Sequence, residues 1–194
     1  MNTRNTNEGG GVEYQQQQQQ QKKRKEEETP LMALNHVSRL CRSVDKSRDF
    51  YKGMLGFVEM ERPDSLDFNG AWLFNYGVGV HLVQARDEDR LPPLDEASQL
   101  DPMDNHISFQ CEDMEAIERK LMDRNIKYMK TTLGDDSQSK IDQLFFTDPD
   151  GFMIEICNCE NLRLIPQGSL GKIKLPSNQH NPPVELGKKD DARF

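Results

Sequence analysis

Three of the four histidines in this 194-residue chain fall inside short, mostly apolar runs, and the surroundings of two of them repeat. Residues 35–41 read NHVSRLC and residues 105–111 read NHISFQC, so Asn, His, Ser and Cys recur in register while Val exchanges for Ile. His36 thereby corresponds to His106. A later pair of runs, VGVHLVQ at 78–84 and FMIEICN at 152–158, sets His81 against Glu155. In an extended strand residues two apart share a face. That groups His36 with Leu34, Ser38 and Leu40, His106 with Asp104, Ser108 and Gln110, His81 with Gly79 and Val83, and Glu155 with Met153 and Cys157. A lone histidine on a strand is usually a core residue. Four ionisable groups at matching places in two copies are not explained by packing, because burying them is costly unless they are paired or hold a cation. His36, His81, His106 and Glu155 are therefore read as the ligands of one divalent metal ion; His180 has no counterpart.

Three neutral imidazoles and one carboxylate would leave a divalent ion formally at +1, a stronger Lewis acid than a site with two carboxylates. Nitrogen-rich ligation suits Zn²⁺, Ni²⁺, Fe²⁺ or Co²⁺ better than Mg²⁺, with Mn²⁺ also admitted. Such an ion polarises a carbonyl, and proton transfer beside a carbonyl needs a base. Glu155 is the one carboxylate of the set and is assigned that catalytic role, against the alternative that it stays a permanent ligand with the base elsewhere.

The elements that must position these residues follow from what comes after each copy. SVDKSRDFYKGMLGF carries Val44, Ser47, Tyr51, Met54 and Leu55 near helical spacing, with Gly56 closing the helix. EDMEAIERKLMDRNIKY carries Met114, Ile117, Leu121 and Met122, with Asp113 as its cap. Three strand-like runs follow each helix, at 57–61, 71–76 and 78–84, then at 127–131, 143–147 and 152–158, the last two joined by the turn DPDG. The fold expected is α+β: two βαβββ repeats forming paired four-stranded sheets around a metal-binding cleft.

The repeats occupy residues 32–160. Residues 1–31 hold seven consecutive glutamines and the run KKRKEEE with almost no large apolar side chain, which reads as a disordered tail. Residues 161–194 read as a mostly flexible tail, with 162–165 laid against the domain. Lys22, Lys23, Arg24 and Lys25 form a weak nuclear-import candidate, more often a solvated charge run. Within 32–160 there are 14 Lys or Arg and 25 Asp or Glu, a net −11 of the chain's −8, so the tails carry +3. An acidic domain repels phosphate backbones and anionic lipid, which argues against nucleic acid and membrane partners. No run reaches the ~18 apolar residues of a membrane span, and a cytoplasmic protein is expected. Cys41, Cys111, Cys157 and Cys159 lack CxxC spacing and fit a reducing compartment, each as a small buried thiol.

NHVSRLCRSVDKSRDFYKGMLGF, AWLFNYGVGVHLVQ, DNHISFQCEDMEAIERKL and FFTDPDGFMIEICN, in that order over about 130 residues, resemble the vicinal oxygen chelate superfamily and, within it, plant glyoxalase I-like proteins. The resemblance implies the glyoxalase/bleomycin resistance/dioxygenase fold, metal ligation by His36, His81, His106 and Glu155, a homodimer with each site shared between two copies, and isomerisation of an α-hydroxycarbonyl through a metal-stabilised enediolate. Typical members have glutamate where His81 stands. Four residues past His36 and His81 they have arginine and asparagine, which hold glutathione, whereas Leu40 and Ala85 stand here. These departures argue against glutathione. With Trp72 and Phe74, in the strand before His81 and on one face with Tyr76, Leu40 and Ala85 outline an apolar pocket for a small-molecule carbonyl substrate, in keeping with specialised metabolism. The alternatives are a conventional lactoylglutathione lyase acting on methylglyoxal, a thiol transferase or ring-cleaving dioxygenase using His36, His106 and Glu155, and a non-catalytic binding module.

Overall fold

The computed structural model describes Gln18, Leu31 and residues 33–159 apart from Asp64, Leu66, 95–99 and 135–139. The polyglutamine run (Gln18 aside), the KKRK run, residues 162–165 and His180 lie outside the described residues. The chain divides into Met1–Leu34 and Asn35–Phe194, and every element below belongs to the second unit.

The first repeat runs β1 (His36–Cys41), α1 (Val44–Gly53), β2 (Val58–Met60), β3 (Gly70–Asn75) and β4 (Val78–Gln84). The second runs β5 (His106–Gln110), α2 (Met114–Asp123), β6 (Tyr128–Leu133), β7 (Ile141–Thr147) and β8 (Met153–Cys157). Each repeat makes one mixed sheet, ordered β1-β4-β3-β2 and β5-β8-β7-β6. The outer strands β1 and β5 pair parallel to β4 and β8, and the remaining pairs are antiparallel. A parallel neighbour cannot be reached by a tight turn, so in each repeat the helix and two strands intervene between the first and last strands.

The helices begin and end where their sequences dictate. The Ser43 side chain caps α1 by accepting from the Lys46 amide, and Asp113 caps α2 by accepting from Ala116 at 2.9 Å. Gly56 leaves α1 with φ +75°, a left-handed conformation that glycine adopts without steric penalty.

Strand alternation sorts the side chains. Cys41, Ala71, Leu73, Val80 and Leu82 of the first sheet share one buried cluster with Val44 and Tyr51 of α1 and Met54 just after it, and that cluster continues through Met114, Leu121, Leu144, Phe146, Ile154 and Ile156 of the second repeat. The helix-bearing sides of the two repeats are thus joined. Phe50 meets Phe146 with tilted rings, Phe57 meets Phe109 edge-on, and Lys120 Nζ donates to the Met54 carbonyl at 2.7 Å.

The DPDG turn explains its own composition. Asp148 Oδ1 accepts from the amides of Asp150 and Phe152, which closes the turn, while Asp148 Oδ2 accepts from Tyr51 Oη at 2.9 Å. Asp150 accepts from the Arg42 amide and from Ser47 Oγ. Both carboxylates of the second repeat's turn therefore dock on α1 of the first.

Candidate metal centre

The strand faces opposite this joined core carry the candidate ligands. On the first sheet His36 lies one strand from His81, with ring centroids 3.9 Å apart and planes 11° from parallel. Parallel pairing sets Ser38 beside His81 and Gly79 beside His36. A Cβ at Gly79 would stand 3.0 Å from His36 Cβ and 3.7 Å from His81 Nε2, so a side chain here would press on the His36 ring's attachment. Trp72 of β3 stacks on the other side of His81 at 4.5 Å. The stack holds the His81 pKa below its ordinary value, first by desolvation and then through the neighbouring His36.

On the second sheet His106 Nε2 lies 3.2 Å from Glu155 Oε2. Glu155 is buried at 6% exposure, and its Oε1 accepts a 2.5 Å hydrogen bond from Gln143 Nε2. Phe145 lies edge-on to His106 at 5.8 Å.

Backing partners set the imidazole tautomers. His106 Nδ1 is 2.7 Å from the Asp104 carbonyl, which can only accept, so Nδ1 carries the proton. His36 Nδ1 is likewise 2.7 Å from Asn35 Oδ1. Each ring is thus backed through Nδ1, leaving Nε2 as the nitrogen that would ligate a metal. For His106 that nitrogen also has a partner: its Nε2 and the Glu155 carboxylate stand 3.2 Å apart, a pairing satisfied by a proton on Nε2 or by a cation held between them. The donor set thus fits a divalent ion of the nitrogen-preferring kind.

The structure brings these residues together as two pairs rather than as one quartet. Ligand atoms on a common ion of zinc size stand roughly 3–4 Å apart; among the described residues no three of His36, His81, His106 and Glu155 present ligand atoms within 4.8 Å of one another. The pairs lie on separate sheets, each facing away from the shared core.

Of the expected pocket residues, Leu40 lies half-buried on the His36 face and pairs with Val83. Trp72 and Phe74 lie on the His81 face, with Phe74 39% exposed. Ala85 is tied to β1 by its amide, which donates to the Cys41 carbonyl. Tyr76 departs from the expected stripe. It sits in the turn after β3 with φ +52°, and its hydroxyl donates to the Leu55 carbonyl while its ring packs against Phe57 and Phe109 on the helix side. Lys140 pairs with Asp142 at 3.6 Å. The cysteines also depart from four equivalent buried thiols. Cys41 and Cys111 are free, and burial pushes the Cys41 thiol up to about 12, but Cys157 and Cys159 are joined as a disulfide.

Residues 33–156 match the family model described as Glyoxalase/Bleomycin resistance protein/Dioxygenase superfamily. The chain belongs to this superfamily. Over 136 residues, 70% of this chain and 76% of the relative, it is 52% identical to Glyoxylase I 4 of Arabidopsis thaliana. That makes it a glyoxalase I-like member. Its fold is also that of a glyoxalase/dioxygenase from Nostoc punctiforme, with a TM-score of 0.52 at 22% identity over 66% of this chain and 91% of that one. A fosfomycin resistance protein from Listeria monocytogenes gives 0.51 at 13% identity over 66% and 92%. Members of the superfamily generally use a divalent metal. Among the described residues no helix is long and apolar enough to cross a membrane.

Proposed function

We propose that this chain is a divalent-metal-dependent lyase/isomerase of the glyoxalase I type that acts on an α-hydroxycarbonyl compound as a homodimer. In that dimer His36 and His81 of one copy would complete a ligand set with His106 and Glu155 of another. The observation that carries the reading is the His106–Glu155 pair, an imidazole nitrogen and a buried carboxylate oxygen 3.2 Å apart on one sheet face, a donor pair that a divalent ion would fit. The separation of the two pairs within one chain supports the shared site. Symmetric pairing of two copies generates two such sites at once.

When bound, a divalent ion of the Zn²⁺, Ni²⁺, Fe²⁺, Co²⁺ or Mn²⁺ class acts as a Lewis acid toward a carbonyl oxygen and acidifies the adjacent C–H. Glu155 is the base. Gln143 holds its Oε1, so Oε2, the oxygen facing His106, would take the proton from one carbon and return it to the neighbour when not ligating. The Asp104 carbonyl holds His106 at Nδ1 and so orients its Nε2 toward Glu155. Trp72, Phe74 and Phe145 give the two sheet faces apolar walls that exclude water.

Leu40 and Ala85 supply no charged anchor for a glutamyl group. This supports a glutathione-independent reaction on an apolar hydroxyketone of specialised metabolism. The 52% identity to a protein named Glyoxylase I 4 favours a second reading, lactoylglutathione lyase activity on the methylglyoxal–glutathione adduct. Incubating metal-loaded protein with methylglyoxal, with and without glutathione, separates them. Lactoylglutathione formed at the rate of an established glyoxalase I supports the second reading; metal-dependent turnover of apolar hydroxyketones without glutathione supports the first. Loss of neither activity on removing the metal contradicts both.

A further inference from the structure

Beyond the four-residue set, metal-binding side chains gather at the end of β8. One Glu155 carboxylate oxygen and the sulfurs of Cys157 and Cys159 all lie within 4.8 Å of one another. Cys157 is 4% exposed and shares the ligand face with Glu155, and its sulfur is 3.7 Å from Ser108 Oγ on β5. Cys159, two residues further on, falls on the same face by strand alternation. β8 ends at Cys157, where Asn158 is clamped to β7: its amide donates to the Asp142 carbonyl at 3.3 Å and its Oδ1 accepts from the Asp142 amide at 2.7 Å. The chain then turns, bringing the two cysteine Cα atoms to 5.4 Å, within the range a disulfide spans.

We propose that Cys157 and Cys159 form a reversible dithiol/disulfide couple whose reduced form, together with Glu155, binds a soft divalent cation such as Cd²⁺ or Zn²⁺. Two sulfurs and a carboxylate oxygen within 4.8 Å of one another offer three donors to one ion, and sulfur donors select thiophilic ions, whose binding displaces the thiol protons. Oxidation abolishes the site by converting both donors to a disulfide. With a low-molecular-weight disulfide as oxidant, the half-buried Cys159 thiolate attacks one of its sulfurs, breaking that S–S bond and expelling a thiolate. The Cys157 thiolate then attacks the Cys159 sulfur of the mixed disulfide and expels the second. In sum, two protein thiols are oxidised and one external disulfide is reduced to two thiols, which take up the two protons. The site shares Glu155 with the proposed isomerase centre but needs neither His36 nor His81.

The test is anaerobic titration of the metal-free full-length chain with Cd²⁺, following the ultraviolet thiolate-to-cadmium charge-transfer band, beside a count of free thiols. Reduced protein is expected to show four thiols and a band saturating at one Cd²⁺ per chain; oxidised protein should show the two thiols of Cys41 and Cys111 and no band. Cys159→Ser, at the half-buried end of the strand, should lose the band with its circular dichroism unchanged, even if the buried Cys157→Ser fails to fold. Cys111→Ser should keep it. His36→Ala/His81→Ala should keep the band while losing any isomerase activity, so failure of the isomerase reading leaves this result intact. A reduced chain with four titratable thiols and no band, or a band that survives Cys159→Ser, would overturn the proposal.

Discussion

Replacing Asp148 with asparagine should change stability by an amount that depends strongly on pH. Its carboxyl is pushed up to about 6 from an ordinary 3.8. Burial is the largest cause, working against the hydrogen bonds from the Phe152 amide, Tyr51 Oη and the Asp150 amide, with the Asp150 charge adding to the rise. Because the folded state holds this proton more tightly than the unfolded chain, the contribution is fully present below pH 3.8 and is lost as pH rises through 6. A shift of that size corresponds to roughly 3 kcal/mol, of which about 2 kcal/mol separates pH 4.5 from pH 7.5. Asparagine is neutral throughout and retains Oδ1 for the two turn amides, so it removes the titration without removing the turn. Urea unfolding of both proteins across that range should show wild type gaining on Asp148→Asn by about 2 kcal/mol toward pH 4.5. A stability difference that stays flat with pH would refute the assignment of a strained, buried charge to Asp148.

Gln143→Leu removes the hydrogen bond that orients Glu155 and should weaken metal binding by about 10–100-fold in calorimetric titration with little loss of fold. Leu121→Ala, at a fully buried position of α2, should destabilise by roughly 2–5 kcal/mol in chemical unfolding, since it opens a cavity in the core that joins the repeats.

Duplication made much of this legible in the sequence. NHVSRLC and NHISFQC share a strand period, and the helices after them share an apolar face and a polar cap, so element types and order follow from local chemistry alone. The same period gave His36, His81, His106 and Glu155 each a strand face, while the nearness of His36 to His81 and of His106 to Glu155 comes from the β1–β4 and β5–β8 pairing. Gln143 and Phe145 were not legible as site residues. They lie on β7, and their nearness to Glu155 follows from the β7–β8 register, in which Phe145 pairs with Glu155 and Gln143 with Cys157. Tyr76 illustrates the opposite failure: alternation counted it with Trp72 and Phe74, but a left-handed turn residue no longer obeys strand alternation. The Cys157–Cys159 bond was hidden for a related reason: alternation puts the two cysteines on one face, but their approach to 5.4 Å between Cα atoms follows from β8 ending at Cys157, which periodicity does not show.

The separation of the ligand pairs was beyond the sequence as well. Periodicity assigns a face to each residue but not which faces the two repeats press together, and here the helix-bearing faces won, through Asp148 and Asp150 docking on α1 and the aromatic contacts of Phe50 and Phe57.

The most direct test of a shared four-residue centre is complementation between two inactive chains, one carrying His36→Ala/His81→Ala and the other His106→Ala/Glu155→Gln. Mixed dimers would contain one intact site and one that lacks every ligand. After denaturation and joint refolding at equal amounts, bound metal and activity should return to about a quarter of the wild-type value. A mixture that stays as metal-free and inactive as either parent would contradict a centre built between two copies.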